Sequence, residues 1–75
     1  MTISEKQQII ERFSDFEVTH TNDYGVTLQN GTTEVYIYNE GKGWKYEINH
    51  EYFMDENDHD LEESICQAQM TVAEL

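Results

Sequence analysis

The stretch "GVTLQNGTTEVYIYNEGKGWKYEINH", residues 25–50, decides the fold. Apolar and polar residues alternate along it, and the alternation breaks only at Asn30-Gly31 and between Asn39 and Gly43. Gly and Asn at those breaks supply the positive φ angles that tight turns require, so the runs between them read as antiparallel strands. A turn over Asn30-Gly31 pairs Gln29 with Thr32, sets Val26 opposite Val35 and leaves Leu28 level with Thr33. The longer turn pairs Tyr38 with Lys45, Ile37 with Tyr46 and Val35 with Ile48. Upstream, "FEVTHT" at 16–21 supplies the first strand, and pairing Val18 with Val26 brings Phe16 opposite Leu28. All of these registers collect the apolar residues on one face. A slip of one residue would invert every side chain, so the agreement between separate turns carries weight.

The opposite face then holds Glu17, Thr19, Thr21, Thr27, Gln29, Thr32, Glu34, Tyr36, Tyr38, Lys45, Glu47 and Asn49. That is the pattern of an antiparallel sheet with one face covered and one wet. Before the strands, Ile9, Phe13 and Phe16 recur at helical spacing, with Ile3 and Ile10 nearby, which predicts a helix over 4–15. Ser4 with Gln7 fits a capping box, and Thr2 with Glu5 offers a competing one. After the strands, Asp60 with Glu63 reads as an N-cap, and Leu61, Ile65, Ala68 and Val72 form the apolar stripe of a second helix, widened by Met70, Ala73 and Leu75. Between them "EYFMDEND", residues 51–58, reads as an irregular connection whose Tyr52, Phe53 and Met54 tuck under a sheet edge or helix. The expectation is one α+β domain over residues 1–75, ordered α-β-β-β-β-α, a four-stranded antiparallel meander with both helices on its apolar face.

Seventy-five residues, 37% hydrophobic and 12% aromatic, suffice for one small core, since a chain of this size buries only about 60–65% of the surface its unfolded form exposes. The single Cys66 excludes an internal disulfide, and the N-terminus has neither a basic start nor a long apolar run, so a cytoplasmic location, in a bacterial or other host cell, is expected. The net charge is −12, and it is uneven: residues 46–75 carry nine acids and no Lys or Arg, against seven acids and four bases in residues 1–45. Such a surface repels phosphate backbones and anionic lipid heads, which argues against direct binding of nucleic acid or membrane and makes a basic partner or a metal ion the natural complement.

The acids concentrate in Glu51, Asp55, Glu56, Asp58, Asp60, Glu62 and Glu63, within thirteen residues. As a calcium loop the run fails: from Asp55 the sixth and twelfth positions are Asp60 and Cys66, and from Asp58 they are Glu63 and Gln69, where Gly and Glu are required. His59 and Cys66 are too few for a structural zinc site. His20 and His50 fall on the inward parity near strand ends, where hydrogen-bonded histidines are common, and Cys66 reads as a packing residue with no neighbouring cation. Ser14 and Ser64 lack a nucleophile's context, and Gly41 and Gly43 sit in a hairpin rather than a phosphate loop. No enzyme activity, metal or cofactor is expected.

Two explanations of the acidic run compete. In the simpler, it caps a helix and keeps a small protein soluble. In the sharper, its carboxylates imitate phosphates and occupy the Arg and Lys of a nucleic-acid-binding protein. On its size, its charge and the "DENDHDLEE" run at 55–63, the chain resembles the small acidic inhibitors of phages and mobile elements, anti-CRISPR proteins and other DNA mimics among them. The resemblance implies stoichiometric blocking of a DNA-binding enzyme. Acidic immunity proteins and antitoxins share the same features. Tyr36, Tyr38, Tyr52 and Phe53 are the expected apolar anchors beside the acids, because charge supplies on-rate more readily than affinity. A rival from another class is a structural or regulatory module that self-associates through the tyrosine-bearing sheet face.

Overall fold

A computed structural model describes residues 1–41, 43–52 and 60–75, in the order α1 (Ile3–Arg12), β1 (Glu17–Thr21), β2 (Gly25–Asn30), β3 (Thr33–Asn39), β4 (Trp44–Ile48), β5 (Glu51–Tyr52) and α2 (Leu61–Ala73). The strands form one antiparallel sheet in sequence order, five where four were expected. The α+β meander with both helices on its apolar face is as expected: α2 lies across β4 and β3, and α1 rests on β2 and α2. The helices and strands enclose a single cluster that includes Ile9, Phe13, Val26, Leu28, Val35, Ile37, Tyr46, Ile48 and Ile65. Phe16, Val18 and Val72 pack around it half-buried.

The extra strand comes from a turn that the alternation conceals. Asn49 and His50 both carry positive φ, 52° and 69°, which is what a two-residue type I′ hairpin demands. The turn ends β4 at Ile48 and pairs Ile48 with Glu51 and Glu47 with Tyr52. Asn49 also fastens β3: its Oδ1 accepts from the Glu34 N–H at 2.8 Å, and its own N–H donates to the Glu34 carbonyl at 2.8 Å.

Between β3 and β4 the register is as expected, with Val35 opposite Ile48, Ile37 opposite Tyr46 and Tyr38 opposite Lys45. The β2–β3 hairpin differs by two residues. Asn30 pairs with Thr33, Leu28 with Val35 and Val26 with Ile37, so the loop is Gly31-Thr32. Gly31 carries the positive φ of 60° at its first position, as a type II′ turn requires. In β1, Val18 sits opposite Leu28 rather than Val26, and a bulge between Val18 and His20 then shifts the pairing to His20 with Thr27. An offset of two keeps every residue on its face; a bulge does not. His20 is accordingly thrown to the outer face and exposed, and His50 stands exposed in its turn, so neither takes the inward position expected from parity.

Helix α1 starts at the competing cap. The Thr2 side chain accepts from the Glu5 N–H at 3.1 Å while the Glu5 carboxylate accepts from the Thr2 N–H at 2.8 Å, and a carboxylate near the positive end of the helix dipole is a better partner than the Gln7 amide. Phe13 leaves helical geometry at φ −119°, ψ 54°, three residues short of Phe16. The expected N-cap of α2 is present, with Asp60 accepting from the Glu63 N–H at 2.7 Å. The widened ends of the apolar stripes are not buried: Ile3, Met70 and Leu75 are exposed, because the core ends at Ile9 on one helix and Ala68 on the other. Phe53, Met54, Asp55, Glu56, Asp58 and His59 lie outside the described residues.

Candidate functional site

Those of the expected site residues that are described divide between two faces of the molecule. On the helix side, Asp60, Glu62 and Glu63 form the first turn of α2, where the unpaired N–H groups and the helix dipole favour negative charge. Each has a partner. Asp60 is the cap, Glu63 accepts from the Gln67 amide at 3.2 Å, and Glu62 receives Arg12. The Arg12 Nη1 lies 2.6 Å from both Glu62 carboxylate oxygens, and its Nη2 reaches Gln69 Oε1 at 3.3 Å and Cys66 Sγ at 3.5 Å. Gln69 returns a bond to the Arg12 carbonyl at 2.6 Å. The hydrogen bond that Arg12 donates to Glu62, and then that with Cys66, raise the Arg12 pKa, and the same Arg12 hydrogen bond holds the Glu62 carboxyl below the ordinary range. Cys66 is therefore not without a neighbouring cation, contrary to the sequence reading. The signal that could have revealed this is that Arg12 is the last helical residue of α1 and the chain's sole arginine, with all the acids of α2 available to it.

The other face of the sheet collects the tyrosines. Tyr36 and Tyr38 point outward from β3 with their rings stacked, centroids 4.6 Å apart and planes 10° off parallel. They are less exposed than expected: Tyr36 is half-buried and Tyr38 is 8% exposed. Burial, followed by a hydrogen bond to Glu47, pushes the Tyr38 phenol well above the ordinary tyrosine range. The β5 strand adds Tyr52 to this face through its pairing with Glu47. Tyr52 is 46% exposed, and the Lys45 ammonium stands 5.9 Å from its ring centroid. Glu51, paired with the inward Ile48, takes the opposite parity at the sheet edge and is exposed.

Between Tyr36 and the β4–β5 turn lies a cavity of about 110 Å³, lined by Thr27, Glu34, Tyr36, Glu47 and His50. His50 Nε2 lies 3.3 Å from Glu34 Oε1, and the Asn22 amide donates to the Tyr36 hydroxyl at 3.3 Å. The cavity is smaller than the roughly 300–1,000 Å³ of small-molecule sites. Glu34 and Glu47 were read only as part of a wet face; the cross-strand pairing of Tyr36 with Glu47 makes them neighbours of the same ring. Among the described residues no group of three or more His, Cys, Asp or Glu is placed to hold a metal ion, and no helix is long and apolar enough to cross a membrane.

No protein-family model matches this chain, and no curated protein or solved structure matches it at a significant level.

Proposed function

We propose that this chain is a non-enzymatic acidic inhibitor that binds the basic, nucleic-acid-binding surface of a partner protein by imitating DNA, in the manner of anti-CRISPR proteins. The observation that carries this reading is the charge balance: sixteen Asp and Glu against four Lys and Arg. Placement sharpens it. Arg12 is committed to Glu62 between the helices, and Lys45 stands over Tyr52. Among the described residues every carboxylate other than those of Glu5, Glu34 and Glu47 is exposed, which favours rapid, salt-sensitive association with Lys- and Arg-lined grooves. Such a partner operates where nucleic acid is handled, in the cytoplasm of a bacterial or other host cell. An acidic immunity protein or antitoxin that neutralises a basic nuclease is the same chemistry with a different target.

The stacked Tyr36 and Tyr38 and the exposed Tyr52 favour one reading of another class, self-association through the sheet face. It requires a solution mass above one chain that survives reversal of the acids. The discriminating experiment is an affinity capture from a bacterial lysate with the native chain and with an Asp55→Lys, Asp58→Lys, Glu62→Lys, Glu63→Lys variant, each challenged with duplex DNA. Capture of a nucleic-acid-binding protein by the native chain alone, reversed by DNA, supports mimicry. Equal capture by both forms makes the acidic run a solubilising face and moves the contact to the tyrosine-bearing sheet, whereas capture that duplex DNA does not reverse rejects mimicry.

A further inference from the structure

We infer that the outer face of the sheet is the docking surface for an arginine of the partner, its guanidinium seated in the notch between Glu34 and Glu47 against the Tyr36 ring. This inference rests on the acidic-inhibitor reading and moves its contact from the acidic run to the sheet. Neither helix packs on this face.

Charge complementarity selects the occupant. Glu34 lies diagonally across from Glu47, which pairs with Tyr36, and diagonal positions on adjacent strands stand about 7–8 Å apart. Two carboxylates so placed flank one aromatic ring. A guanidinium fits that arrangement better than an ammonium, since its planar fork of N–H donors reaches carboxylates on two sides while its face lies on the ring. A cavity of about 110 Å³ suits one such head group. The surface also carries a cation of its own already, Lys45 over Tyr52 one strand away.

The notch is held in shape before any partner arrives. Tyr38 stacks on Tyr36. Asn22 holds the Tyr36 hydroxyl, His50 sits on the Glu34 carboxylate, and Asn49 grips the Glu34 backbone at both its N–H and its carbonyl. Groups already fixed lose little entropy when a ligand orders them, which is where small interfaces gain affinity.

The test is titration of the chain with nona-arginine and with nona-lysine, read by calorimetry and by amide chemical shifts. Arginine is expected to bind about tenfold tighter than lysine, with shifts centred on residues 34–36 and 47–50. A Glu34→Gln, Glu47→Gln variant, its fold verified by amide dispersion, is expected to lose about tenfold in affinity for nona-arginine and most of the preference over lysine. An Asp55→Asn, Asp58→Asn variant is expected to keep that preference. Equal binding of the two peptides, or shifts confined to residues 51–63, overturns the docking inference and leaves the acidic-inhibitor reading standing. Binding of neither peptide overturns both. Shifts on the same face that grow with protein concentration alone, or on adding oligo-dT, assign the face to a second copy or to nucleic acid and overturn the inference.

Discussion

Arg12 and Glu62, fifty positions apart in sequence, meet with the guanidinium Nη1 2.6 Å from both carboxylate oxygens and tie the end of α1 to the start of α2. The pair is exposed, with 62% of the Glu62 side chain open to solvent, so its value is modest and screened by salt. Its pH dependence is nonetheless specific. The Glu62 carboxyl is lowered in the folded chain, so its contribution is present above the unfolded carboxylate range and is lost as pH falls through the folded value. Urea midpoints of the native chain and Glu62→Gln should therefore differ at pH 7 and converge towards pH 3. A constant gap across that range would show that the carboxylate's charge is not what stabilises.

Tyr38 should act at the other end of the scale. Its phenol is raised above the ordinary 10.0, by burial first and the Glu47 hydrogen bond second. The folded chain holds that proton after the unfolded chain has lost its own, so the stabilisation is complete below pH 10 and declines as pH rises above it. Tyr38→Phe should flatten the alkaline limb of the stability profile. In absorbance titration at 295 nm, the variant should lack the last tyrosine to ionise.

Gly25 permits the close approach of β2 to β3. A Cβ there would overlap the Ile37 carbonyl oxygen and fall 2.7 Å from the Tyr38 Cα, both backbone atoms that cannot step aside. Gly25→Ala should cost about 3 kcal/mol, most of the roughly 3–5 kcal/mol a core of this size supplies. Denaturant unfolding measures it, and a loss under 0.5 kcal/mol, an ordinary surface effect, would mean the strands separate easily at this point.

Tyr46 joins the sheet to α2, its hydroxyl 2.8 Å from the Thr71 Oγ1, which in turn donates to the Gln67 carbonyl at 2.9 Å. Tyr46→Phe keeps the buried ring and removes the bond, so the expected loss is about 1 kcal/mol. Tyr46→Phe combined with Thr71→Val should lose less than the sum of the single changes, because the second removes a partner already bereft.

Much of the fold was legible because alternation encodes the face a residue occupies. Val26, Leu28, Val35 and Ile37 were placed inward even where their partners were mispaired, since the offset was two residues and parity survives an even slip. The bulge beside Thr19 was illegible: one extra residue leaves no mark in composition, yet it turned His20 outward. The fifth strand was hidden because His50 is an unusual residue at φ 69°, so "INH" read as a continuation of β4. Of the candidate site, Tyr36 and Tyr38 were located on their face. Tyr52 reached that face only through the concealed turn, and Glu62 proved to be held by Arg12 from the other helix. Pairings across long stretches of chain depend on tertiary packing, which local periodicity does not carry.

DNA mimicry makes one demand that no solubilising surface makes, that the chain and DNA exclude one another from the same partner. The direct measurement is sedimentation velocity of the captured partner, saturated with a fluorescent duplex and titrated with this chain. The account predicts that duplex leaves the partner in proportion to chain added, one for one, and that raising salt weakens the displacement. A ternary complex in which partner, duplex and chain sediment together would contradict it.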